Sequence, residues 1–256
     1  MRKTINPYRI VASMALRRLK WDLQPESWRS RHRLKRIRGG HEGERAVVLC
    51  NGPSLLKADL SLLDGVFTFG LNKINLLFDR SSFRPSCIVA VNSLVIEQNA
   101  DFFGATDIPL FLDSAALKWV KPRNSIAFLH SQPIPGFAQD CAISVWQGAT
   151  VTYVALQLAY HMGFQRVALI GADHSFSAKG PAHKAVSAAT IDRDHFDPRY
   201  FSSGMRWQLP DLPQSELAYT LARESFEADG RRIVNATEGG KLEIFERQSL
   251  REFLGS

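Results

Sequence analysis

Five polar turns follow short apolar runs of the chain, and each carries residue types that contact nucleotides. They are Asn51-Gly52-Pro53-Ser54, Asn72-Lys73, Asn92-Ser93, Gly171-Ala172-Asp173-His174 and Asn235-Ala236-Thr237. An Asn at the first polar position can donate to phosphate or sugar oxygens and accept from a base or a ribose hydroxyl, and it tolerates the left-handed backbone of a tight turn. Singly, each Asn serves equally as an Asx-turn or a helix cap; as a series they predict a nucleotide-sized cleft. Gly52 lets the backbone approach a ligand, Pro53 pre-sets a first helical turn, and the amides after it form an expected anion site. Trp146-Gln147-Gly148-Ala149-Thr150 opens a long helical pattern with two small residues and a hydroxyl, which suits either ligand approach or helix packing. No Gly-Lys-Ser/Thr follows the first turn and it is not GxGxxG, so ATP hydrolysis and nicotinamide chemistry lose support.

Ligands of an open parallel sheet bind outside the carboxyl ends of its strands, so these turns require such a sheet behind them. The alternation of apolar β-rich runs with helical patterns supplies it. Strands are predicted at 46–50, 66–71, 87–91, 108–112, 125–129, 166–170 and 232–235. Helices are predicted from Val145 to Met162, stopped by Gly163, and from Ser215 to Ala228, ended by Gly230. Between Gly171 and Pro213 the pattern is lost over roughly forty residues rich in His, Arg, Ser, Pro and aromatics, a length that predicts a lid or binding insertion at 174–213.

The chain of 256 residues carries +7, unevenly placed. Residues 1–40 hold twelve basic residues against Asp22 and Glu26, a local +10, and the rest is −3. A domain boundary is expected at Gly39-Gly40, between a basic leader (1–40) and a body (41–256). From Pro7 the leader can form a helix with Tyr8, Val11, Ala12, Ala15, Leu16 and Leu19 near one side, followed by the basic run Arg29–Arg38. It reads first as a helix packed on the body with a solvated charged face. Next comes docking of residues 1–38 on an anionic membrane, at about 1 kcal/mol per Lys or Arg near the surface. Nucleic acid comes last and is not an expected partner, because no RNA or DNA motif follows. Cys50, Cys87 and Cys141 are odd in number and widely spaced, as buried free thiols in a reducing compartment would be. No apolar run approaches the roughly 18 to 20 residues that span a bilayer, and Ile10–Leu16 is short for a signal peptide. The expected location is cytoplasmic, with peripheral contact at the inner face of the cell membrane under the docking reading.

The order Val-Val-Leu-Cys-Asn51-Gly52-Pro53-Ser54-Leu, Asn72, Asn92, Gly148-Ala149-Thr150 and the Gly163–Asp173 strand resembles the bacterial sialyltransferases of glycosyltransferase family 42. It also resembles the wider DUF115 group, which includes the flagellin-glycosylating Maf proteins and the MptE-like 6-hydroxymethylpterin diphosphokinases. His195-Phe-Asp-Pro-Arg199-Tyr200, Trp207 and the Arg231–Glu243 segment look specifically like DUF115. The likeness spans about residues 45 to 250 and implies a Rossmann-like transferase with helices on both faces of the sheet. It further implies that Asn51, Gly52, Ser54, Asn72, Asn92, Gly148 and Thr150 surround a CMP-sugar. The chain departs from the sialyltransferases where their catalytic His precedes the penultimate helix, since Trp207–Pro213 has none.

Inverting transfer from a CMP-sugar needs a base for the acceptor hydroxyl and cations or phenols for the departing phosphate. His174, His183 and His195 are candidates for the first task, with His195 favoured and His174 second. Lys179, Lys184, Arg193, Arg199, Tyr200 and Arg206 are candidates for the second. Asp173, ending a buried strand, could orient ribose, orient a His or bind Mg²⁺. The expected binding set is Asn51, Gly52, Pro53, Ser54, Asn72, Asn92, Gly148, Ala149, Thr150, Gly171 and Asn235, with no cofactor required and no metal motif matched. The leading expectation is transfer of an acidic sugar from a CMP-activated donor to a surface glycan or lipid-linked acceptor. Two alternatives stand: diphosphate transfer from ATP to a pterin alcohol, with Mg²⁺ on Asp173 and Asp194 or Asp197, and a non-enzymatic nucleotide-binding module at the membrane.

Overall fold

The computed structural model describes residues 6–176, 180–187, 192–201 and 204–255. Strands β1 (Arg45–Leu49), β2 (Phe67–Leu71), β3 (Cys87–Ala90), β4 (Leu110–Asp113), β5 (Ile126–Leu129), β6 (Arg166–Ile170), β9 (Arg232–Asn235) and β10 (Glu246–Arg247) form one sheet. The strands β7 (Ala185–Ser187) and β8 (Arg206–Gln208) form a separate antiparallel ribbon. The large sheet runs β10-β9-β6-β1-β2-β3-β4-β5 with every pair parallel. This is the Rossmann-like architecture. Parallel strands are covered on both faces, which is why the runs are apolar without interruption.

Alternate strand residues feed two cores. Ala46, Val48, Phe69, Leu71 and Val89 pack with helices α5 (Val151–Met162) and α6 (Leu212–Ala228). Val47, Leu49, Ile88, Leu112 and Ile170 face the other way, toward Ile96 of α3 (Ser93–Gln98), Phe103 of α4 (Ala100–Ala105) and Phe253 of α7 (Leu250–Gly255). The three cysteines are free and buried. Burial pushes the Cys50 thiol up to about 12 and the other two also upward, so all three are protonated and unreactive at neutral pH.

The expected long helix is shorter than its apolar pattern. It starts at Val151 because Gly148 and Ala149 both adopt left-handed backbone, with φ +56° and +60°. Val145 is drawn instead into a bridge with Ser131. The lid, where no pattern was legible, contains the β7–β8 ribbon.

The leader divides into two helices of different standing, α1 (Pro7–Asp22) and α2 (Pro25–Ile37). At Gly39-Gly40 the chain turns, and the Gly39 and His41 amides donate to the His161 and Met162 carbonyls at the end of α5. Leu34 of α2 is buried in the first core and its carbonyl meets His161 Nε2 at 2.9 Å. Ser30 Oγ accepts from the Phe128 amide at 2.9 Å, and Arg33 donates to the Ile126 carbonyl at 2.9 Å. Side chains of α2 thus satisfy backbone groups along the outer edge of β5, which would otherwise offer an open ladder. A truncation at residue 38 would therefore expose a sheet edge. Leu34→Ala should lower stability by about 2–5 kcal/mol in chemical denaturation, whereas Leu16→Ala on exposed α1 should stay within about 0.5 kcal/mol.

Candidate nucleotide site at the strand switch point

The chain reverses direction across the sheet between β1 and β6, and a cavity of about 530 Å³ opens at their carboxyl ends. Open α/β sheets bind ligands at this kind of switch point. Asn51, Gly52, Asn72, Asn92, Gly148, Ala149, Thr150, Gly171, Asp173, His174, His195 and Tyr200 all line it. Residues spread over 150 positions are gathered there because parallel pairing puts every strand's carboxyl end on the same side.

The first turn is locked to the sixth strand. The Gly52 amide donates to the Gly171 carbonyl at 3.0 Å, while Ser54 donates its amide and its hydroxyl to Asp173 Oδ2 at 3.1 and 2.7 Å. A Cβ on Gly52 would lie 2.0 Å from Asp173 Oδ2, so a side chain there would displace the carboxylate. The anion site expected on the Asn51–Ser54 loop is therefore filled by the protein's own carboxylate. The helix it opens is a single 3-10 stretch, Pro53–Lys57. Pro53 and Ser54 do not line the cavity; Ser54 positions Asp173.

The start of α5 also reaches the cavity wall. Gly148 and Ala149 turn their backbone left-handed, Thr150 caps the helix by accepting from the Thr152 amide at 3.3 Å, and the first turn has no acidic residue to neutralise its dipole. Gly148 is required there: a Cβ would meet Ala218 Cβ at 2.6 Å and the Tyr153 ring at 2.8 Å. Thr150 Oγ1 and Tyr219 Oη lie 3.3 Å apart on the cavity wall. Gln147 fixes this loop by donating to Ser131 Oγ at 2.8 Å and to Asp113 Oδ2 at 3.2 Å. Burial pushes the Asp113 carboxyl up, against the donors from Ser131, Ala115 and Gln147.

Asn51 and Asn72 line the cavity, and each has a buried carboxamide oxygen with no partner among the described residues. Asn51 Nδ2 donates to the Leu71 carbonyl at 3.1 Å and to Tyr200 Oη at 3.2 Å, and its Oδ1 is buried with no partner among the described residues. Asn72, at φ +49°, likewise buries an Oδ1 with no partner among them. Unpaired buried acceptors are rare in folded proteins, and each of these would gain a hydrogen bond from any donor brought to it. Asn92, by contrast, caps α3 through the Leu94 amide and reaches Gln208 at 3.4 Å. Asn235 lies outside the cavity: its amide groups bond the Leu242 carbonyl and the Thr237 amide, so it shapes a turn.

The three lid histidines each meet a carboxylate. His195 Nδ1 lies 2.8 Å from Asp192 Oδ2, and its ring stacks on Tyr200 at 3.9 Å between centroids and 3° between planes. Donation from Nδ1 to Asp192 leaves Nε2 as the proton acceptor of neutral His195. Burial alone would raise the Asp192 carboxyl, but the hydrogen bond and charge of His195 with the Asp194 and Phe201 amides leave it below the ordinary value. His174 Nε2 lies 3.0 Å from Glu216, and His183, more exposed, meets Asp211 at 3.1 Å. Burial holds the Tyr200 hydroxyl well above its ordinary value, so it stays a neutral phenol.

The expected lid cations are elsewhere. Arg199 binds Asp197 and Asp79 away from the cavity, and Lys184, Arg193 and Arg206 are exposed and do not line it. Lys179 lies outside the described residues. Among the described residues, the one Lys or Arg in the cavity wall is Arg17, from α1. Asp194 lines the cavity beside Asp173, whereas Asp197 is buried against Arg199 and Arg80. Among the described residues no three His, Cys, Asp or Glu side chains cluster as a metal site.

Sequence reasoning missed Asp192 and Arg17, and it named Lys73 and Gln147 only as members of their turns, with no role of their own. Asp192 carried a local signal, three residues before His195; Arg17 carried none, being brought to the cavity only by the tertiary placement of α1. Lys73 is buried beneath the lid, with Nζ donating to the Tyr200 carbonyl at 2.7 Å and to Gln98 at 2.8 Å. It also lies 5.2 Å from the Phe201 ring centre. Burial pushes this ammonium down to about 8, against the upward pull of Asp192.

No family model matches the chain and no curated protein matches it in sequence. A solved structure, the Maf glycosyltransferase from Magnetospirillum magneticum AMB-1, matches with a TM-score of 0.50 at 14% identity. The match covers 88% of this chain and 38% of that one, so the chain spans well under half the length of the protein it resembles. At that identity the likeness concerns the fold, and it agrees with the relationship to Maf proteins expected from the motif series. No helix among the described residues is long and apolar enough to cross a membrane.

Gly52→Ala should destabilise by about 1–3 kcal/mol through overpacking against Asp173. Gly104→Ala, in a helix with open space around it, should be neutral or stabilising by up to about 1 kcal/mol in the same denaturation experiment. For Lys73 the folded value, about 8, lies below the ordinary 10.5. The unfolded chain therefore binds the proton more tightly, the penalty is complete below pH 8, and it fades as pH rises toward 10.5. Tm of the wild type should accordingly rise relative to Lys73→Met between pH 8 and 10.5; a flat difference would remove Lys73 as a charged buried group.

Proposed function

We propose that the chain is a glycosyltransferase of sialyltransferase-like type, moving an acidic sugar from a CMP-activated donor to a surface glycan or lipid-linked acceptor at the inner face of the cell membrane. The observation that carries this reading is the pairing, in one switch-point cavity, of unpartnered Asn51 and Asn72 oxygens with the His195–Asp192 dyad. The fold shared with a Maf glycosyltransferase supports it.

A CMP-sugar supplies what the cavity lacks. Its ribose hydroxyls and exocyclic amine are donors for the Asn51 and Asn72 oxygens. Its phosphate suits the uncompensated start of α5, where backbone amides and Thr150 stabilise the charge that grows on the leaving oxygen. His195 Nε2 takes the proton of the acceptor hydroxyl while that oxygen bonds to the anomeric carbon. The bond from the anomeric carbon to the phosphate oxygen breaks, and its electron pair leaves with CMP. Asp192 stabilises the imidazolium so formed, and the Tyr200 ring holds its plane. His174, tied to Glu216 beside Tyr219, is the second candidate for the base. No cofactor is needed by this route.

The test is a thermal-shift comparison of CMP, CDP, UDP and ATP, followed by turnover of CMP-activated acidic sugars. CMP at 100 times its dissociation constant should stabilise by about 2.7 kcal/mol. His195→Ala should lower kcat by about 10²–10⁴ and keep the CMP shift. A shift with ATP and Mg²⁺ but not with CMP would favour diphosphate transfer instead. A CMP shift with no turnover, hydrolysis included, would leave a nucleotide-binding module.

A further inference from the structure

Helix α1 is turned the wrong way round for a helix of a soluble body. Its buried contact is made by Trp21, which stacks on His130 and joins the second core. Arg18 ties the same end down through Asp22 and the Ile143 carbonyl, and Arg31 of α2 binds Asp22 as well. The apolar side, meanwhile, points outward. Tyr8 is 84% exposed, Val11 65%, Leu16 66%, Leu19 54% and Leu23 75%. At 100° per residue these five, with Ala12 and Ala15, fall within one sector of about 140°.

The charges around that sector decide what covers it. Arg9 and Lys20 lie along one margin, and α1 has no acidic residue before Asp22, which is already paired. Two copies of this face set against each other would bring like charges together, whereas an anionic lipid surface meets them with the opposite sign. The helix of 16 residues is about 24 Å long, suited to lying in the headgroup layer and too short to cross the bilayer. Part of the basic run after α1 is committed elsewhere: Arg31, Arg33 and Arg38 pair with Asp22, Glu26 and Asp140, while Lys35 and Arg36 are exposed.

The geometry points to α1, through its Tyr8–Leu23 face, as the element that seats the protein on an anionic bilayer. Arg17 stands about 200° of helix rotation from Ala15 and from Leu19, on the side facing the body, and lines the cavity. The cavity rim at Arg17 therefore sits about one helix diameter, roughly 10 Å, above the membrane plane. Within the transfer reading proposed above, on which this consequence rests, the acceptor is a polar group carried by a membrane lipid and enters past Arg17.

The experiment is vesicle flotation of the full chain, with CMP thermal shift read on the same samples. Binding to vesicles of phosphatidylglycerol and phosphatidylcholine is expected, falling roughly tenfold on pure phosphatidylcholine or in about 0.5 M salt. Leu16→Asp/Leu19→Asp should abolish flotation with Tm unchanged, since both side chains are solvent-exposed, and Arg9→Glu/Lys20→Glu should weaken it on anionic vesicles only. Absence of flotation by the wild type, flotation unchanged in the Leu16/Leu19 variant, or a dimer dissolved by that variant without any vesicle binding would each overturn the proposal. A CMP shift that survives failed flotation would leave the transfer reading standing, and flotation without a nucleotide shift would do the reverse.

Discussion

The contact between Gly52 and Asp173 sets the layout of the whole site. At the place where β1 and β6 part, the Ser54 amide and hydroxyl grip Asp173 Oδ2, at a range that leaves no room for a Cβ on residue 52. The loop after β1 is thereby closed by an internal anion. Those donors are already taken, whereas the start of α5 carries no acidic residue in its first turn, and the cavity extends from the switch point toward β3 and the lid. The lid follows from the same joint. The Phe196 amide donates to the Asn51 carbonyl at 2.9 Å, and Tyr200 meets Asn51 from above.

A second constraint works on the underside of the lid. Lys73 carries an ammonium where burial disfavours charge, yet its three donors hold the Tyr200 carbonyl, Gln98 and the Met205 sulfur. It ties the segment bearing His195 to the end of β2. The His195–Asp192 pair stacked on Tyr200 is thus assembled on a rigid support although it belongs to an insertion. The ring geometry, 3° from parallel, restricts the imidazole to one plane, a condition for directional proton transfer.

The leader illustrates how charge counting misleads. A local +10 suggests a single polyanion-binding arm, but the helices that carry it do different work. α2 turns Ser30 and Arg33 onto the backbone of β5 and buries Leu34, and Arg31 binds Asp22, so these two cations are partners of the fold. α1 keeps its cations near the surface, presents its apolar face outward and sends Arg17 to the cavity.

Much was legible in the amino-acid sequence because local rules suffice for it. Uninterrupted apolar runs of four to six residues specify parallel strands buried on both faces, and the Asn-bearing turns after them specify which sheet end is polar. Those runs matched β1 to β6 and β9 to within a residue or two, and the buried free cysteines followed from their apolar neighbours. What only the tertiary structure decided were relations between distant residues. The sequence showed Asp173 and Ser54 as separate polar groups, and only the pairing of β1 with β6 made them one joint. It assigned Asn235 and Arg199 to the ligand because their types fit, but close packing gave both of them protein partners. It left Arg17 in a leader and gave Lys73 no role beyond its place in a turn, since no periodicity reports which side chain a folded lid or a returning helix will cover. Element type is written in short-range pattern, whereas the owner of each hydrogen bond is settled by which groups lose water together when the chain closes.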